Sequence, residues 1–278
     1  MAIYKSSELE DSPTRRVSTG IYDLDYLFGE SEGVWGLPKG KITLLTGQSG
    51  VGKTRLLVEI LKNMAPLGPN IIFMQGELGL ASFATEKMGG WSADNVLLTD
   101  DVDIETQVKY IEKYKPSLMI VDSAQQMDTW AGGRGSKAIV RAYRDVIEKT
   151  GTHIILVSQM NRDGSTKGGT EIGHEVDLEL FAVRRDEPYE NQFKMWSEKN
   201  RYGKTGRWTI WEHDDHGVKC VSKTRLQDYK YLETRDVHDT EELTDRLKEV
   251  FGMKERAVVV VKGKSGLRQA WDSFWCMG

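Results

Sequence analysis

Cysteine is nearly absent from this sequence: Cys220 and Cys276 are the only two in 278 residues. Neither has a CxxC partner or a histidine at ligand spacing, which excludes a cysteine-based zinc module and a disulfide framework. Long apolar runs are missing as well. The longest aliphatic stretches are a few residues, such as Val258 to Val261, so there is no candidate membrane-spanning helix. The opening MAIYKSSELEDSPTRR has no apolar signal core and carries acids, which disfavours secretion. Repeats and low-complexity tracts are also lacking. These absences imply a reduced, soluble, cytoplasmic protein with no membrane partner. The chain is long enough for one large or two modest domains. Its net charge of −4 argues weakly, taken alone, against a nucleic-acid partner.

The order of elements is more informative. KITLLT (41–46), NIIFMQ (70–75), SLMIVD (117–122) and THIILVS (152–158) read as strands. Helical stretches separate them: Gly52 to about Met64, a segment through 108–115 with Val108, Ile111 and Tyr114 inward, and a basic helix over 136–149. Alternation of this kind predicts βαβ units and a mainly parallel sheet covered on both faces. After Asp177 the strands LELFAV (178–183), FKMWSEK (193–199) and RWTIWEH (207–213) follow without helices, which predicts an antiparallel extension. Residues 1–15 read as a mobile leader, 16–222 as the core, and 223–278 as a small C-terminal α+β appendage. The fold class is α/β.

Gly47-Gln48-Ser49-Gly50-Val51-Gly52-Lys53-Thr54 fits G-x-x-x-x-G-K-[ST], directly after a strand and at the start of a helix. Glycines let successive backbone N–H groups turn inward around a phosphate, and the helix N-terminus adds partial positive charge. Lys53 reaches the β- and γ-phosphates, Thr54 offers a hydroxyl to Mg²⁺, and Arg55 continues the loop into the helix. ATP with Mg²⁺ is the implied ligand. Asp122, closing the strand LMIVD, is the natural second magnesium partner, because it emerges beside the phosphates. Glu77 follows NIIFMQ at the same sheet edge and is placed to activate the attacking water; the alternative is an acid that only complements a helix dipole. Gln159 ends its strand as a γ-phosphate sensor or as a plain solvated amide.

Several motifs in fixed order resemble one family. RVSTGIYDLDYLFG (16–29), KPSLMIVDSAQQM (115–127), GHEVDLELF (173–181) and KNRYG (199–203) are similar to segments of bacterial RadA proteins. KNRYG has Tyr202 where RadA has Phe. The resemblance covers about residues 16–220 and implies a RecA-like P-loop core that forms a homo-oligomer, either a ring (a hexamer) or a filament. It also implies that Lys199 and Arg201 serve a neighbour's nucleotide or the DNA. A solvated hairpin tip is the alternative for these residues. RadA's zinc module and protease-like domain have no counterpart here. The short core is similar to phage-encoded recombination ATPases. The strand-end SQMNR also fits a DnaB-like helicase, and a KaiC-like ATPase switch is a third class.

RecA-type architecture puts the loops after Asp122 and Gln159 on DNA. Here they read DTWAGGRGSK (128–137) and MNRDGSTKGGTEIG (160–173). Arg134, Lys137, Arg162 and Lys167 are the candidate phosphate contacts, and Trp130 stacks on a base or packs on the core. Residues 130–149 hold five basic residues against two acids, whereas 94–105 hold five acids and no base. The expected activity is therefore a DNA-stimulated ATPase acting on single-stranded DNA in recombination, repair or annealing. The appendage would dock recombination or replication proteins, or would simply cover the core.

Overall fold

The computed structural model describes residues 13–127, 135–161, 171–215 and 217–222. The expected appendage at 223–278 and most of the leader lie outside the described residues, as do Trp130, Arg134, Arg162 and Lys167.

One nine-stranded sheet organises the chain. We number its strands β1 (Ile42–Gly47), β2 (Ile71–Gln75), β3 (Val96–Thr99), β4 (Leu118–Asp122), β5 (His153–Gln159), β6 (Leu178–Arg184), β7 (Gln192–Asn200), β8 (Trp208–Asp214) and β9 (Gly217–Cys220). Their spatial order is 9-8-7-6-1-5-4-2-3. Strands β3, β2, β4, β5, β1 and β6 are mutually parallel, and β7 to β9 continue the sheet antiparallel. This is the mainly parallel α/β sheet with an antiparallel extension that the sequence predicts.

Burial follows that division. Every residue of β1, β2 and β4 is buried, as strands covered on both faces require. In β7 burial alternates, with Phe193, Met195 and Ser197 inward and Lys194 and Glu198 exposed. Helices α1 (Tyr22–Phe28) and α2 (Lys53–Met64) form one apolar layer with Leu45, Phe73 and Leu180. Helices α3 (Ile104–Tyr114) and α4 (Gly135–Thr150) form the other with Ile42, Leu44 and Leu156. Asp103 caps α3 by accepting from Thr106 N at 2.8 Å. A short α5 (Glu171–Glu175) precedes β6. Strands β3 and β9, and helix α1, go beyond the elements read from sequence.

The N-terminal motif has a clear structural task. Buried Asp25 accepts from Ser18 Oγ at 2.5 Å, Thr19 Oγ1 at 2.7 Å and Thr19 N at 2.9 Å, folding the RVSTG turn onto α1. Burial raises the Asp25 carboxyl to about 7, against the opposing effect of those hydrogen bonds. Arg16 donates to Gly36 O at 2.7 Å and to the carbonyl of Tyr202, while Asn200 donates to Phe28 O at 2.9 Å. Two motifs far apart in sequence are thus locked together. This N-terminal segment fixes the place of 199–203.

Candidate nucleotide site

Parallel strands all end at one sheet edge, so the topology gathers the candidate chemistry there. Register pairs Gly47 with Gln159 and Gln75 with Asp122, which sets the four strand ends side by side. The loop 48–52 then curls with Gly50 at φ 70° and Gly52 at φ 100°, angles that only glycine takes without strain.

Within the loop Lys53 Nζ donates to Gly47 O at 2.8 Å and to Gln48 O at 2.9 Å. Burial lowers its pKa, and the carboxylates of Asp122 and Glu77 oppose that shift. The ammonium is held at the loop mouth with both acids acting on it. Thr54 Oγ1 donates to Asp122 Oδ2 at 2.6 Å, so hydroxyl and carboxylate meet at this edge. Burial pushes the Asp122 carboxyl up, with the Thr54 hydrogen bond pulling the other way. A buried carboxylate raised by desolvation, touching a hydroxyl at the head of a helix, is a donor set that fits magnesium. The peptide bond from Asp122 to Ser123 is cis, and Ser123 Oγ donates to Glu77 Oε1 at 3.3 Å. Glu77 therefore sits over the same edge, exposed, its backbone N held by Gln75 Oε1 at 2.8 Å. Gly76 must be glycine-sized, because a Cβ would come within 2.6 Å of Gln126 Cβ.

Two residues that support the loop escaped the sequence reading. Arg184, ending β6, donates its backbone N to Gln48 Oε1 and its guanidinium to Gly50 O, both at 2.9 Å. His213 on β8 lies 2.9 Å from Val51 O through Nε2, and this nitrogen must carry the proton because a carbonyl only accepts. The ring leans on Phe193, with centroids 5.3 Å apart. Arg55 turns away from the loop and reaches Asp214 O at 3.4 Å.

Lys199 and Arg201 share one face as expected, since both donate to His174 O, at 3.1 and 3.0 Å. Lys199 also caps the end of α5 through Gly173 O and Val176 O. Arg201 pairs with Asp177 at 3.6 Å, and that carboxylate also takes Arg144 at 2.7 Å and Ile42 N at 3.0 Å. Arg201, through Asp177, lies at the level of Ile42, five residues or roughly 16 Å along the strand before Gly47, and Lys199, opposite Glu179, lies at the level of Leu44, three residues or roughly 10 Å before it. The structure does not bring them to the phosphate loop of the same chain. Lys137 sits near the start of α4.

The chain is 29% identical over 228 residues to the DNA repair protein RadA of Mycolicibacterium smegmatis, 30% over 223 to that of Aquifex aeolicus and 28% over 228 to that of Escherichia coli. These alignments take in 78%, 77% and 79% of this chain. It carries a RadA-like core of the RecA superfamily. The chain spans about half the length of these curated relatives, which are covered over 47%, 48% and 48%. No family model matches it. The RadA-like core also has the fold of a KaiC-like protein of Pyrococcus horikoshii, with a TM-score of 0.61 at 18% identity over 76% of this chain and all of the other. Among the described residues no helix is long and apolar enough to cross a membrane.

Proposed function

We propose that this RadA-like core is a Mg·ATP-hydrolysing motor that assembles as a ring or filament on single-stranded DNA, in recombination, repair or annealing. The observation that carries the reading is the convergence of Lys53, Thr54, Asp122 and Glu77 on one sheet edge around a loop with two left-handed glycines.

Backbone amides of 48–54 and the Lys53 ammonium hold the phosphates in this reading. Thr54 and Asp122 would hold magnesium, which when bound would neutralise phosphate charge. Glu77 takes a proton from the water that attacks the γ-phosphorus, as the bond to the bridging β-phosphate oxygen breaks and ADP leaves. Lys199 and Arg201 of a neighbouring copy stabilise the charge that builds in transfer, which their distance from their own loop favours. Gln159, paired with Gly47, passes the state of the γ-phosphate to the loop at 160–173, whose Arg162 and Lys167 meet DNA together with Trp130, Arg134 and Lys137 of 128–137. Residues 16–222 form the motor, and 223–278 a separate appendage for recombination or replication partners.

ATP hydrolysis measured with and without a single-stranded oligonucleotide tests the proposal. Stimulation by the strand supports it. A rate indifferent to DNA, with no salt-sensitive binding, contradicts it and favours a KaiC-like switch. Unwinding of a forked duplex by the protein alone would favour a DnaB-like helicase.

A further inference from the structure

The antiparallel extension carries a feature that the nucleotide site does not use. Register sets Phe181 of β6 opposite Trp196 of β7, and Trp196 opposite Trp208 of β8. Three aromatic rings therefore form a ladder across neighbouring strands on one face. Phe181 and Trp196 stack with centroids 5.4 Å apart. Glu198 accepts the Trp196 indole N–H at 3.0 Å, which fixes that ring, and Trp208 leaves 49% of its surface exposed.

Cations flank the ladder. Lys194 Nζ lies 5.9 Å from the Trp196 ring and 5.3 Å from the Trp208 ring. Arg184 and Arg185 line the same cleft, which has a volume of about 380 Å³. Among the described residues none of these three cations has a carboxylate within ion-pairing distance. Arg185 instead donates to the Gln192 side chain at 2.5 Å and lies over Tyr189. Cations without an ion-pairing carboxylate, beside the exposed Trp208 ring on a chain of net charge −4, complement a polyanion that carries planar bases. A double helix hides those faces; a single strand offers them.

We propose that this cleft is a binding site for single-stranded nucleic acid, distinct from the loops at 128–137 and 160–173. Bases stack on Trp208 and Trp196, and phosphates meet Lys194 and Arg185. The cleft adjoins the nucleotide site, because Arg184, one of its lining residues, also donates its guanidinium to Gly50 O. The proposal rests on the reading of the chain as an ATPase acting on single strands.

Fluorescence anisotropy with a labelled oligothymidylate and the full chain tests it, using Trp208→Ala, Trp208→Phe and Lys194→Gln. Loss of one stacked base at about 1–3 kcal/mol predicts roughly five- to 150-fold weaker binding for Trp208→Ala, with most of it restored in Trp208→Phe. Lys194→Gln should reduce the salt slope by about one. ATP turnover without DNA should be unchanged in all three. Wild-type affinity and salt slope in both Trp208→Ala and Lys194→Gln would overturn the cleft while leaving the motor reading intact. Failure of the wild-type chain to bind the strand would overturn the cleft together with the DNA part of that reading. Weakening in Trp208→Phe equal to that in Trp208→Ala would also overturn it, since stacking requires only the ring.

Discussion

Gly52 and His213 press against each other: a Cβ on Gly52 would stand 2.0 Å from His213 Cε1. The second glycine of the G-x-x-x-x-G-K motif thus has two reasons to be glycine here, its φ of 100° and the imidazole behind it. Strain at such a backbone position costs about 1–3 kcal/mol. Gly52→Ala should therefore weaken nucleotide binding about tenfold or more. Removing the ring as well should return part of the loss, so the double variant Gly52→Ala/His213→Ala should cost less than the two single changes summed. Strict additivity in binding titrations would show that the ring does not press on the loop.

Glu77 is tested by charge removal without loss of shape. Glu77→Gln should lower kcat by about 10²- to 10⁴-fold, the usual worth of a general base, while nucleotide affinity stays close to wild type. A fall in affinity with kcat retained would assign it to binding.

Arg201 lies at the far end of the sheet from its own loop, so its effect on hydrolysis should cross a subunit boundary. Arg201→Ala alone should turn over slowly. Mixed with Lys53→Ala, which keeps Arg201 but has a disabled loop, it should recover part of the activity. Activity that is merely the weighted sum of the two variants would argue against action in trans.

Two buried groups oppose each other in the pH dependence of stability. Burial raises Asp25 to about 7, so its contribution is full below about pH 4 and is lost as pH rises through 7. Burial lowers His153 to about 4, its Nδ1–H held by Pro38 O at 2.7 Å, so its contribution is full above about pH 6.5 and is lost as pH falls through 4. Thermal unfolding between pH 4.5 and 6.5 should separate them. Asp25→Asn should leave a Tm that rises with pH, and His153→Gln a Tm that falls. The same slope in both variants would contradict the assignment.

What the sequence made legible was local. The phosphate loop and the strand-ending Asp122 are patterns over a few residues, and the structure holds both at one sheet edge. The shared face of Lys199 and Arg201 follows from the period of an extended chain. Arg184 and His213 were illegible because their partners lie 134 and 162 positions away. Neither a strand-ending arginine nor a histidine in a hairpin strand carries a local signal. The union of Arg16 with Tyr202 is hidden for the same reason, although each motif is recognisable by itself. Strand β3 was missed because its residues Val96 to Leu98 are only half-buried at the sheet edge, beside a run of acids that reads as loop.

The central claim is that the loop 47–54 hydrolyses ATP. Phosphate release by the wild-type chain and by Lys53→Ala, assayed side by side with magnesium and a single-stranded oligonucleotide, tests it most directly. The account predicts steady magnesium-dependent turnover in the first and none above background in the second. Equal rates in the two would contradict it.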